Sequence, residues 1–497
     1  MNELIERIQS GIEVRGNFIQ LKERLKEASD IDAFLQCIEW DMDFFRQFLQ
    51  HEDAKVRKNV IQIIGICGLD GLADDLFATY KEEKTLYLRA EYLKVLQGFE
   101  VSPYLSFFEK RVEEIQKMGD TKETEKHIGA ELRCLTAILK KSGKISSHTF
   151  IGGDTMSVMI LTTLSGKESY LKRAVEERIG EGKTTLVRGG VKVVSSDYEN
   201  LMKVRCFQEL LFVPPGMGKL SGSPAEMAEQ MKKAGLLEYL EERMSGRAAY
   251  PFRVEVRGKM SEEERGKAIH QLSQQLERCS GHQLVNAPSD YEITLRFHKS
   301  SREETYALYL KFSLLPDNRF AYRKHVVPSS IQPYMAALIM EIIREDTKGR
   351  GQVLDPFCGV GTMLIERNYR EHAHSLYGVD IYGQAVYWAN EHAEQAHMDI
   401  HYVQKDMADF THAYPFELII TNLPAATNGM EEERILEIYE QFLEKCREWL
   451  KPDGLVVVYT QSPSLLERAL KNQSALRIAK QTDMYKNGKS RLYILTI

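Results

Sequence analysis

Val353 to Thr362 reads VLDPFCGVGT, and the rest of the chain can be organised outward from it. Val353 and Leu354 make a short apolar strand, and Pro356 disfavours helix at Asp355 just before it. Gly359 and Gly361 let the backbone turn tightly and approach a ligand closely, and Thr362 opens a helical run through Met363 and Leu364. A ligand at such a turn lies beside backbone N–H groups at a helix N-terminus. A GxG turn alone serves geometry in many folds, so its meaning depends on the strands downstream of it.

Ser375 to Asp380 (SLYGVD) is a second strand, and it ends in an acid. The interval of about twenty residues is the one at which dinucleotide folds place a carboxylate for ribose hydroxyls. Ile400 to Val403 reads as a third strand, followed by Asp406, and Phe416 to Thr421 (FELIIT) as a fourth. The fourth runs into Asn422-Leu423-Pro424-Ala425. Each of these polar residues falls at the carboxyl end of a predicted strand, where open α/β sheets bind ligands. An Asn oxygen beside a proline-stiffened backbone can accept a hydrogen bond from an exocyclic amine and turn its lone pair toward a methyl donor.

In this order and spacing DPFCGVGT, GVD and TNLP resemble S-adenosyl-L-methionine-dependent amino-methyltransferases of the Rossmann-like class. Together with Asn318 to Met340 they resemble the THUMP-domain RNA methyltransferases that act on the 2-amino group of guanine in tRNA or rRNA. The resemblance implies that Asp355, Phe357, Gly359 and Gly361 surround the methionine part of the cofactor. It also implies that Asp380 holds the ribose hydroxyls and Asp406 the adenine amine, with Ile381, Met407 and Asn422 lining the same site. Asn422, with backbone around Leu423 and Pro424, would hold the target amine, and no metal is expected. One residue departs from the pattern: Ala425 stands where the family usually carries an aromatic that stacks on an extruded base. Such stacking is worth about 1–3 kcal/mol per base. Its loss gives weight to an alternative reading, an RNA-binding or assembly factor with a degenerate methyltransferase domain.

With 497 residues, 43% of them hydrophobic, and a mean hydropathy of -0.36, the chain has the composition of an ordinary multidomain soluble protein. No basic-then-apolar start and no apolar run of about twenty residues is present, so a cytoplasmic protein with no membrane partner is expected. Cys37, Cys67, Cys134, Cys206, Cys279, Cys358 and Cys446 are scattered without a CxxC pair, which argues for reduced thiols. A net charge of -6 moves the question of RNA binding from average charge to local basic surface.

Residues 1–147 read as helices only, with apolar faces at Val56, Val60, Ile63 and Ile64, at Leu88, Tyr92, Val95 and Leu96, and at Leu132, Leu135 and Ile138. Their separations approach the period of about 40 residues of HEAT-like arrays, whose broad face can receive a protein partner. Residues 154–215 resemble the small ferredoxin-like domain found before THUMP: strand Val158 to Thr162, helix Glu168 to Ile179, a hairpin around Gly189-Gly190, and a helix from Tyr198 to Leu211. Residues 223–316 resemble the THUMP-like RNA-binding domain itself. There a helix covers Ser223 to Arg243 and another follows Ser261, whose Glu264 has capping-box spacing. Its cations, Arg253, Arg257, Lys259, Arg265, Lys267, Arg296, Lys299, Arg302 and Lys311, are candidates for phosphate contact. Arg319, Tyr322, Arg323, Lys324 and His325 form a basic-aromatic patch ahead of the Rossmann-like methyltransferase domain at 326–497. The fold class is thus multidomain: all-α, then α+β, then α/β. The carboxyl-terminal hairpin around Asn487-Gly488 should insert an antiparallel strand at the sheet edge.

Overall fold

A computed structural model describes residues 1–117, 125–144, 148–246, 249–328, 330–425, 432–472 and 475–497. The chain divides into two units, each discontinuous in sequence: Met1–Gly152 with Pro214–Leu314, and Gly153–Val213 with Leu315–Ile497.

In the first unit the amino-terminal helices pair and stack. Ala54–Ile66 packs against Val14–Arg24 on one side and Leu86–Leu96 on the other, and the latter packs on Glu125–Lys141. Val56, Val60, Ile63, Ile64, Leu88, Tyr92, Leu132 and Leu135 are all buried in one continuous core. Arginines tie successive pairs together. Arg57 reaches Glu83 at 2.8 Å, and Arg89 and Arg111 converge on buried Glu131 at 3.1 and 2.9 Å, where the Tyr80 hydroxyl also donates at 2.8 Å. The rest of this unit is a sheet in which Tyr250–Arg257 runs parallel to Ile293–Lys299 and to Leu284–Asn286, with Thr305–Phe312 antiparallel beyond. Ser261 caps its long helix, Glu262–Cys279, through a complete capping box with Glu264. The predicted helix over 223–243 is two helices, Pro224–Lys233 and Leu236–Glu241, because Gly235 takes φ +79° between them.

In the second unit, Thr184–Val187, Gly190–Ser195, Ser157–Thr162 and Leu210–Phe212 form an antiparallel set backed by helix Glu168–Ile179. The expected helix over Tyr198 to Leu211 stops at Leu201. Leu210, Leu211 and Phe212 instead pair with Leu161, Ile160 and Met159, since an apolar run ahead of Pro214-Pro215 gains more from a buried sheet edge than from extending a helix.

The remainder of this unit is a Rossmann-like sheet. Its strands are β1 (Gln352–Asp355), β2 (Ser375–Asp380), β3 (His401–Gln404), β4 (Phe416–Asn422), β5 (Leu450–Thr460), β6 (Arg477–Asp483) and β7 (Arg491–Thr496). Their order is β3-β2-β1-β4-β5-β7-β6, with β1 to β5 parallel and β7 antiparallel between β5 and β6. Helices α1 (Pro333–Ile343), α2 (Thr362–Arg370), α3 (Gly383–Gln395), α4 (Glu432–Trp449) and α5 (Pro463–Asn472) complete it. β5 begins earlier than its apolar run suggests, taking in Pro452-Asp453-Gly454 with an irregularity opposite Phe416 and Leu418. Among the described residues no helix is long and apolar enough to cross a membrane.

A buried ion pair fastens the antiparallel set to this sheet domain. Glu366, on α2, takes both 2.7 Å hydrogen bonds of the Arg205 guanidinium and a third from the Tyr322 hydroxyl at 2.8 Å. Arg205 lies over the Tyr369 ring at 3.8 Å. The predicted basic-aromatic patch at 319–325 is partly taken up in the same packing. Arg319 and Tyr322 are buried, the first held by Asp317 and the Phe207 carbonyl, and only Lys324 of the named cations is fully exposed.

Candidate functional site

The parallel strands bring the predicted site residues to one edge. Asp355 ends β1 and Phe357 to Gly361 follow it, Asp380 and Ile381 end and follow β2, Asp406 and Met407 follow β3, and Asn422 to Pro424 end and follow β4. Those four strands are neighbours in the sheet, so their carboxyl ends form a continuous ledge.

The turn after β1 is built by hydrogen bonds between motifs distant in sequence. One Asp380 oxygen accepts from the Gly359 N–H at 2.8 Å and the other from the Tyr382 N–H at 2.9 Å. A carboxylate offers about four acceptor sites, so both oxygens keep capacity for hydroxyl donors. Asp355 lies deeper. It is 1% exposed and accepts from the Thr421 hydroxyl at 2.7 Å and the Phe357 N–H at 3.1 Å, linking β1 to β4. Burial pushes its pKa up to about 7, against the two hydrogen bonds and with help from the Asp380 charge. Phe357 is half-buried beside Phe442, Met407 is buried, and Ile381 is exposed. Asp406 is exposed and caps the turn at Met407 by accepting from the Ala408 N–H at 2.9 Å. Burial drives the Cys358 thiol well above its ordinary pKa, as befits a packing residue rather than a nucleophile.

Residues that the sequence did not single out shape the ledge. Tyr402, on β3, lies across two glycines: a Cβ at Gly361 would meet its hydroxyl at 2.2 Å, and one at Gly378 would meet its ring at 2.5 Å. Mid-strand Gly378 was the available signal, because glycine inside a strand marks a close approach. His392 accepts at Nε2 from the His325 N–H at 3.1 Å, so its Nδ1–H donates to the Val360 carbonyl at 3.0 Å. Burial favours this neutral form. Tyr439 donates to the Pro424 carbonyl at 2.7 Å, and the Leu423 N–H donates to the Tyr459 carbonyl at 3.0 Å, so the Asn422–Pro424 turn is held from two sides.

The ledge fits a nucleotide-type cofactor. Nothing lies within 4 Å of a Cβ built on Gly359, whose φ is +52°, so a ligand can approach that backbone. The buried hydroxyls of Thr362 and Tyr402 have no hydrogen-bond partner among the described residues, which leaves polar capacity beside the turn.

The fold and this ledge define a methyltransferase domain of the Rossmann-like class, and residues 321–491 match the family described as UPF0020, RMKL-like, methyltransferase domain. Among similar proteins, a tRNA (guanine(6)-N2)-methyltransferase of Thermus thermophilus is 27% identical over 215 residues, covering 42% of this chain and 63% of the relative. A tRNA (guanine(10)-N2)-dimethyltransferase of Methanothermobacter thermautotrophicus is 24% identical over 165 residues, 31% of this chain and 46% of the relative. The chain therefore matches less than two thirds of the length of either relative. In fold it is similar to TrmN from Thermus thermophilus, with a TM-score of 0.52 and 21% identity, over 68% of this chain and 99% of that one.

Proposed function

We propose that the protein is a cytoplasmic RNA methyltransferase that moves a methyl group from S-adenosyl-L-methionine to the 2-amino group of a guanine in tRNA. The observation that carries this reading is the Asn422-Leu423-Pro424 turn at the end of β4, on the same ledge as the Asp380-braced glycine turn. The names of the two tRNA-acting relatives support the choice of tRNA over rRNA. In this reading residues 1–147 are a HEAT-like platform for a protein partner. Residues 154–215 are a ferredoxin-like spacer, 223–316 a THUMP-like RNA-binding domain and 326–497 the catalytic domain.

Bound S-adenosyl-L-methionine supplies an electrophilic methyl group. Asp380 would hold ribose hydroxyls with its remaining lone pairs, and Asp406 and Met407 would line the adenine end. The Asn422 side-chain oxygen accepts one N–H of the guanine amine, which turns the nitrogen lone pair toward the methyl. Tyr439 fixes the turn by holding the Pro424 carbonyl. The methylated amine would lose its surplus proton to solvent, so these residues would contribute positioning more than acid–base strength.

The test is transfer of label from S-adenosyl-L-methionine to RNA from cells that lack the gene, with tRNA and rRNA separated before nucleoside analysis. Label in 2-methylguanosine of the tRNA fraction is expected. Full cofactor binding with no label in any RNA would refute the proposal and favour the assembly-factor reading that Ala425 suggests.

A further inference from the structure

Ala425 leaves the Asn422–Pro424 turn without an aromatic side chain of its own, but the fold brings other rings to that place. Asn422 is the register partner of Tyr459 on β5. Tyr459 is buried, and burial, with Tyr485 nearby, raises its pKa. Burial likewise pushes the pKa of Tyr334, the second residue of α1, up to about 12, with Tyr485 and Tyr459 adding to the rise. The three tyrosines come from a helix start, a strand end and a hairpin turn that are far apart in sequence.

Of the three, Tyr485 is the one presented outward, at 40% exposure. Its turn lies on the ligand edge of the sheet, because Arg491, the first residue of β7, pairs with Thr460 at the carboxyl end of β5. The turn also has a fixed shape. Met484 donates to the Ser490 carbonyl and Gly488 to the Tyr485 carbonyl, each at 3.0 Å, Gly488 takes φ +66°, and Lys489 N–H donates to the Asn487 side chain at 3.1 Å. Lys486 and Lys489 lie in the same turn and are exposed. An exposed ring on a hydrogen-bonded turn that also carries two cations suits the capture of a base whose phosphates are met electrostatically.

We propose that Tyr485 supplies the face on which the extruded guanine stacks, in place of the aromatic residue absent at position 425. This rests on the proposed methyl transfer to RNA. The test uses the full chain, with wild type and the variants Tyr485→Ala, Tyr485→Leu, Tyr485→Phe and Tyr485→Trp. Methyl transfer to unmodified tRNA and the Kd for S-adenosyl-L-methionine are both measured. Loss of the ring in the Ala and Leu variants should lower kcat/KM for tRNA by about five- to 150-fold. Phe and Trp should stay close to wild type, and cofactor Kd should be unchanged in all four. An active wild type with an Ala variant of equal activity would overturn the stacking role alone, as would recovery by Leu or failure of Phe. A wild type that methylates no RNA would overturn this proposal and the proposed function together.

Discussion

Replacing Asp355 by Asn should stabilise the ligand-free protein above neutral pH and leave it little changed near pH 4. The Asn oxygen can accept the same two hydrogen bonds, from the Thr421 hydroxyl and the Phe357 N–H, so the substitution removes a charge and leaves the packing in place. Burial raises the Asp355 pKa from 3.8 to about 7. In the unfolded chain the same carboxyl titrates near 3.9. Below that value both states are protonated and the favourable contribution is complete. It is lost as the pH rises through 7, because the folded protein must then hold a charge that water no longer solvates. Three units at about 1.4 kcal/mol each give a cost of about 4 kcal/mol at pH 8. For a unit of this size that is roughly 10 °C in Tm. Calorimetry on the ligand-free full chain should therefore show a gap between variant and wild type that opens from pH 4 to pH 7 and then levels off. A gap independent of pH, or an Asn variant that melts lower at pH 8, would refute the claim that the fold penalises the ionised Asp355. A weaker cofactor Kd in the same stabilised variant is expected if the carboxylate is kept for the ligand.

Three other substitutions separate positioning from folding. Asn422→Ala should lower kcat by about a hundredfold or more while cofactor Kd stays near wild type, and equal loss of both would assign the residue to the wrong task. Glu366→Ala strands the Arg205 guanidinium beside Tyr369 and should cost about 3–5 kcal/mol, read as a fall in Tm. A fall of under about 1 kcal/mol would mean that the pair contributes little to docking the antiparallel set. Gly361→Ala drives a Cβ to 2.2 Å from the Tyr402 hydroxyl and should destabilise the fold strongly, whereas Gly359→Ala meets nothing within 4 Å, carries only the strain of its φ of +52°, about 1–2 kcal/mol, and should weaken cofactor binding besides. Melting curves and cofactor titrations that put the two glycines in the opposite order would contradict this account of the turn.

Much of the catalytic domain was legible because its signals are local. Apolar runs bounded by Gly, Pro and acids located the parallel strands, the Asn487-Gly488 turn located the β6–β7 hairpin, and the parallel order then placed the motif residues on one edge. The residues that hold those motifs were not legible. Tyr402, Tyr439 and His392 act through partners 15 to 41 positions away in sequence, at Gly361, Pro424 and Val360. Nothing in their own neighbourhoods marks them. The Tyr198 to Leu211 segment was misread for the same reason, since its strand exists only because β-pairing with Leu161 to Met159 is available.

Charge was the least legible property. In the middle of the chain Arg253, Arg257 and Arg296 all pair with one carboxylate, Glu255, and Arg253 also lies over the Tyr291 ring at 4.0 Å. Lys267 is matched by Glu263 and Lys299 by Glu304. Glu255, Glu263 and Glu304 thus answer five of the nine candidate cations, three of which share one carboxylate, so ion pairing offsets only part of their charge. In the proposed function, RNA affinity would draw on the remaining positive charge of this region together with the exposed Lys486 and Lys489 in the turn that carries Tyr485. A net charge of -6 is compatible with that, because phosphate contact depends on local surface rather than on the average over the chain.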